Sequence, residues 1–94
     1  MKTKNQLFSL DVLVGNWESV NLNPTVMIYK NGNVYLLSII HINETTKQAN
    51  PATYEIQEDE SGYFTYCNLK RTIIDYDFKA DTLNISSLGN YLRN

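Results

Sequence analysis

Hydrophobic and polar positions alternate in short runs: Tyr54/Ile56, Ile74/Tyr76/Phe78 and Leu83/Ile85 share one parity, with Glu55, Asp75, Asp77 and Asn84 on the other. A period of two puts successive side chains on opposite faces of a strand, so these segments read as strands with one dry face and one wet. Turn formers punctuate the runs at Asn21–Pro24, Asn31–Asn33, Asn43–Pro51, Glu58–Gly62, Lys79–Asp81 and Gly89–Asn90. Such regular spacing marks an all-β meander. It predicts strands over 15–21, 25–30, 34–42, 52–57, 62–68, 72–78, 82–87 and 90–93. Asn31-Gly32 reads as a two-residue type I′ turn, because both residues tolerate the positive φ that such a turn needs. The longest expected loop is Asn43–Asn50, which is polar.

One run breaks the alternation. From Val34 to Ile42 both parities are apolar, with Val34, Leu36, Ile40 and Ile42 on one side and Tyr35, Leu37 and Ile39 on the other. A strand apolar on both faces is covered on both. The expected cover is a short N-terminal helix, in which Leu7, Leu10, Leu13 and Val14 recur at helical spacing and Ser9 or Asn5 supplies the cap; a subunit partner is the alternative. Trp17, Ile40, Tyr54, Ile74 and Tyr76 are the candidate interior residues.

With 94 residues the chain holds one core, so positions 1–94 form a single domain. A domain of this size has little packing to give up for a large cavity, which directs any ligand site to the surface. Eight basic against ten acidic residues leave a net charge of −2. No basic field is present to attract nucleic acid or anionic lipid. The first ten residues lack the apolar core of a signal peptide, and no run is long enough to cross a bilayer as a helix. A soluble, cytoplasmic protein is expected, and Asn43-Glu44-Thr45 and Asn84-Ile85-Ser86 are then chance matches to the glycosylation pattern. Cys67 is the only cysteine, so it forms no intrachain disulfide.

Candidate chemistry is sparse. Cys67 and His41 are the single thiol and single imidazole, the one route to a cysteine–histidine pair, but Cys67 alternates with Tyr63 and Thr65 and reads as a small buried hydrophobe. One Cys and one His do not complete a zinc site, so no metal and no cofactor is expected. Asp75 and Asp77 project from one face, where Lys70, Arg71 and Lys79 make them part of a solvated charge ladder. Glu58-Asp59-Glu60 lacks the spacing of a calcium loop and reads as a solvated hairpin tip. No catalytic residue is assigned. Seven tyrosines are many for this length. Most pack in the core or across strands, and the remainder supply contact area for a partner at low entropic cost. Tyr35, Tyr63, Tyr66 and His41 are the candidate ligand- or partner-binding residues.

Leu13-Val14-Gly15-Asn16-Trp17-Glu18-Ser19 near the start and Leu83 through Arg93 at the end resemble the first and last strands of small lipocalin-like proteins. In that resemblance Gly15-x-Trp17 opens the first strand and Arg93 lies over the indole, so Gly15, Trp17 and Arg93 close the barrel. The whole chain also resembles an uncharacterised family of short proteins from Bacteroides-type bacteria, some associated with conjugative transposons. Together these readings imply an all-β, antiparallel meander barrel of about eight strands, lipocalin-like, with a short N-terminal helix. Typical lipocalins are longer, often secreted with disulfides, and hold ligands in a deep cup, and this chain departs on each point. The expected function is noncatalytic binding of a protein partner or a small apolar ligand, as monomer or homodimer. The alternatives are a minimal enzyme using a carboxylate or His41 in the barrel mouth, and a structural dimer that buries the Val34–Ile42 strand.

Overall fold

A computed structural model describes residues 9–93. Its eight strands are β1 (Gly15–Ser19), β2 (Thr25–Asn31), β3 (Val34–Ile42), β4 (Ala49–Asp59), β5 (Gly62–Cys67), β6 (Lys70–Asp77), β7 (Thr82–Ile85) and β8 (Gly89–Arg93). Each pairs antiparallel with its neighbour in sequence, and β1 pairs with β8 to close the barrel. The all-β meander read from alternation and turn spacing is therefore the observed fold. Closure leaves the sheet without a free margin at the β1/β8 seam, where an open sheet would expose unpaired backbone groups.

The seam is held where the two chain ends meet. Trp17 and Arg93 are register partners, and the Arg93 guanidinium lies 4.3 Å from the indole centre, a cation–π contact worth about 0.5–2 kcal/mol. The indole N–H donates to the Leu13 carbonyl at 2.8 Å. Arg93 donates from Nη2 to the Val12 carbonyl at 2.8 Å and forms two bonds to the Asp81 carboxylate at 2.9 and 3.0 Å. Tyr76 adds its hydroxyl to the same carboxylate at 2.7 Å. Gly15 has φ +142°, and a Cβ there would stand 3.6 Å from Arg93 Nη1. The positive φ is the reason for glycine at this position.

Inward parity builds the core. Trp17, Val26, Ile28, Leu37, Leu83, Ile85 and Tyr91 are fully buried, and Ile39, Ile56 and Ile74 nearly so. Tyr54, Tyr76 and Cys67 pack against this cluster from its margin. The interior is thus filled by large side chains.

Several local expectations are corrected. The helical element is a 3₁₀ turn, Leu10–Leu13, whose cap is Ser9, with Oγ accepting from the Asp11 N–H at 3.2 Å. Ser9 and Val14 are both extended and bound the element at four residues, a length at which the tighter helix is common. Leu10 and Leu13 are buried in the barrel core while Val14 is exposed; the turn plugs a barrel end and does not roof the outer face of β3. Leu7 and Asn5 lie outside the described residues. Ile40 faces outward, since it pairs with Thr25 and Pro51 and not with the buried set. Phe78 is 63% exposed, because β6 ends at Asp77, whose carboxylate accepts the Lys79 and Ala80 N–H groups and turns the chain.

Turn positions shift too. Asn31 pairs with Val34, so the two-residue turn is Gly32-Asn33, with positive φ at Gly32 alone, the pattern of a type II′ turn. The type I′ pattern occurs instead at Asn68-Leu69, φ 55° and 67°, between the paired Cys67 and Lys70. Gly89 and Asn90 belong to β8, and β4 starts at Ala49, so that Asn50 and Pro51 are strand residues.

Candidate binding surface

Register decides which side chains face out. Thr25, Ile40 and Pro51 align across three strands, as do Met27, Ser38 and Thr53, and Ile42 pairs with Ala49. Directly opposed residues share a face. The outer face of β2–β3–β4 therefore carries Met27, Tyr29, Leu36, Ile40, Ile42, Ala49 and Pro51 around a polar centre. Within that centre Ser38 Oγ bonds Thr53 Oγ1 at 2.8 Å and donates to the Tyr29 hydroxyl at 3.4 Å. A groove of about 350 Å³ runs over this face, lined by Met27, Tyr29, Ser38, Ile40, Ala49, Pro51 and Thr53, with no ionisable group other than the tyrosine. Toward the 3₁₀-turn end the face stops at Glu55, opposite Leu36.

The neighbouring edge is short of partners. Strand β4 makes eight register pairs with β3 but three with β5, all at its C-terminal end. Beyond them, Thr65 Oγ1 donates to the Glu55 carbonyl at 2.8 Å. Further along sits Pro51, which has no N–H to offer an added strand.

The opposite wall is built differently. Asp75, Asn84 and Asn90 align across β6–β7–β8, beside Asp77, Thr82 and Leu92. Asp75, Asp77, Thr82, Asn84 and Asn90 surround a groove of about 300 Å³ whose floor is Tyr76. Its polar groups are engaged locally, with Asn84 Nδ2 donating to Asn90 Oδ1 at 2.8 Å and the Asp75 carboxylate accepting the Tyr76 N–H at 2.9 Å. The two aspartates share one face, as their spacing implied. Of the cations expected nearby, Arg71 turns away, since it pairs with Asp59 at 2.7 Å and lies 3.7 Å over the Phe64 ring. Ser61 and Arg71 together hold the Asp59 carboxyl down to about 2. The acidic hairpin tip is thus tied to β6 through Asp59.

The four residues proposed for binding do not converge. Tyr35 and Tyr63 do share a rim groove of about 280 Å³ with Ser9, Leu10, Glu55 and Glu58, beside the 3₁₀ turn. There the Tyr35 hydroxyl donates to Asp11, and that bond raises the phenol's pKa. Tyr66 stands on the outer wall of β5, edge-on to Phe64 at 5.6 Å between ring centres. His41 is exposed near the other barrel end, paired with Asn50 on the β3–β4 hairpin. Cys67 ends β5, half-buried, and burial pushes its thiol pKa up, away from the thiolate a nucleophile requires. Among the described residues no three His, Cys, Asp or Glu side chains gather as a metal site. No helix among them is long and apolar enough to cross a membrane.

Met27, Ala49 and Pro51 were absent from the sequence-derived site. The signal that marks their surface is the two-faced β3 run, which shows that an apolar outer face exists but not which neighbours extend it.

The family described as "Domain of unknown function, B. Theta Gene description (DUF3876)" matches residues 2–93. The chain belongs to this family. The DUF3876 match spans the barrel from the 3₁₀ turn to the closing arginine, so both walls and the seam fall inside it. No curated protein and no solved structure matches the chain.

Proposed function

We propose that this DUF3876 barrel is a noncatalytic binding domain that recognises a protein partner through the outer face of β2–β3–β4. One observation carries the reading: a contiguous outer wall has no Asp, Glu, Lys, Arg or His from Met27 to Thr53 across three strands. The centres of protein interfaces are depleted in charge and enriched in tyrosine and methionine. The packed interior, filled by Trp17, Tyr91 and Leu37, favours an exterior site over an enclosed cup. A small apolar ligand is the second reading, favoured by the groove volume of about 350 Å³, which falls at the lower end of ligand sites.

Site-specific photocrosslinking in the native host tests the proposal. A benzophenone side chain at Ile40 is expected to give discrete adducts, and the same group at Asn84 to give none. Equal adducts from both walls, or none from Ile40, overturn it.

The Gly15-x-Trp17 opening with Arg93 over the indole supports kinship with small lipocalin-like barrels. We further propose a cytoplasmic location and, for some members, a setting on conjugative transposons. Fractionation of host cells and the genes flanking each family member test these two statements.

A further inference from the structure

Resting on that reading, we infer that the partner on the β2–β3–β4 face is a second copy of this chain, packed face to face about a two-fold axis. A two-fold interface puts one patch against itself, so it must be self-complementary. An uncharged wall meets this condition, whereas the wall bearing Asp75 and Asp77 would oppose like charges. Pairing through the β4 edge is disfavoured at Pro51, paired with Ile40, because proline has no N–H to give an added strand. That leaves the face. Flat sheets pack at about 10 Å with strands within about 30° of one another, and Ile40, Met27 and Pro51 supply the apolar surface for such a layer.

The size fits a modest dimer. Three strands about 4.8 Å apart, apolar over about 20 Å, give a footprint of roughly 300 Å², or on the order of 500 Å² of accessible surface per copy once side-chain relief is included. Two copies then bury on the order of 1,000 Å², at the lower limit for a specific interface. An interface at this limit belongs with the weak, transient ones. Ser38 bonds both Thr53 and Tyr29 within the wall, so burial leaves only the Tyr29 O–H proton to find an acceptor across the interface. Dimerisation would supply the cover that the two-faced β3 strand requires and the 3₁₀ turn does not provide.

Sedimentation equilibrium of the full chain between about 5 and 500 μM reads the prediction at micromolar affinity. The wild type is expected to pass from monomer to dimer in this range. Ile40→Glu and Ala49→Glu should each weaken association by tenfold or more, while Asn84→Lys leaves it unchanged. Ala49 is exposed, so its variant keeps the test valid where Ile40→Glu unfolds, which far-UV circular dichroism reports. A wild type that stays monomeric at the highest concentration overturns the inference, and so does a dimer insensitive to both substitutions. If the Ile40 crosslink then yields an adduct with a different protein, the second copy falls and the binding face stands; if it yields none, both fall.

Discussion

The two outer walls of this barrel share one core and one hydrogen-bond ladder, yet they differ in the charge they show the solvent. The β2–β3–β4 wall presents Met27, Ile40 and Pro51, and the β6–β7–β8 wall presents Asp75, Asn84 and Asn90. Both stand over fully buried residues, Ile28 and Leu37 under the first, Leu83 and Ile85 under the second. The difference teaches that inward positions set the fold while outward positions are free to carry function. A strand in a small barrel has only those two faces.

If the walls differ only outside, core truncations should hurt alike on both sides. Trp17→Ala removes the largest buried side chain at the seam and is expected to cost about 3–5 kcal/mol, with Leu37→Ala and Leu83→Ala each costing about 2–5 kcal/mol. Urea denaturation measures all three, and a clearly cheaper Leu83→Ala would show that the polar wall rests on a looser core. Next comes the latch beneath the polar wall. Arg93→Ala loses the indole contact and the bond to the Val12 carbonyl, an expected loss of about 1–3 kcal/mol. The apolar wall has no such latch, so hydrogen exchange should rise in β1 and β8 and not in β3.

Acid sharpens the same contrast. Arg93 and the Tyr76 hydroxyl hold the Asp81 carboxyl down to about 2, below the roughly 3.9 of an unfolded aspartate. A lowered folded pKa contributes stability that is complete above about pH 4 and lost as pH falls through about 2. Melting temperature should therefore drop across that window, and Asp81→Asn should flatten the drop, although Asp59, held at about 2, keeps part of it. In alkali the sign reverses. Burial pushes the Tyr91 phenol up to about 12, and that contribution, present below about pH 10, is lost as pH rises toward 12; absorbance at 295 nm follows the ionisation. The smallest stability effects belong to the walls themselves. Ala49→Glu and Asn84→Lys, both at exposed positions, should each move stability by about 0.5 kcal/mol or less in the monomer, and only the former should alter association. A large loss from Ile40→Glu in the monomer would mean that the apolar wall is part of the fold's own packing.

Much of this was legible in the residues. Alternation at Ile74/Tyr76 and Leu83/Ile85 placed strands with the correct face inward, and the resemblance of Gly15-x-Trp17 and Arg93 to lipocalin-like barrels located the seam. Local chemistry misled where two readings compete within one residue. Asn31-Gly32 has type I′ composition, yet the Asn31–Val34 pairing moved the turn to Gly32-Asn33. Phe78 continues the inward parity, but Asp77 ends the strand by accepting two turn N–H groups. Binding chemistry belongs to residue type, whereas position belongs to the fold, which scatters the candidates, with Tyr35 at one rim, Tyr66 on the β5 wall and His41 on the β3–β4 hairpin.

By itself the sequence determined the class of fold and the run of about eight strands, because period-two burial and turn propensity are properties of neighbouring residues; the closing contact came from the resemblance to lipocalin-like barrels. Only the tertiary structure decided which distant positions share a wall. Met27, Ile40 and Pro51 lie on three strands, and their alignment depends on hairpin registers that a one-residue slip would invert. Register is fixed by the packing of the whole barrel, so the surface that carries the proposed function became visible only when the strands were in place.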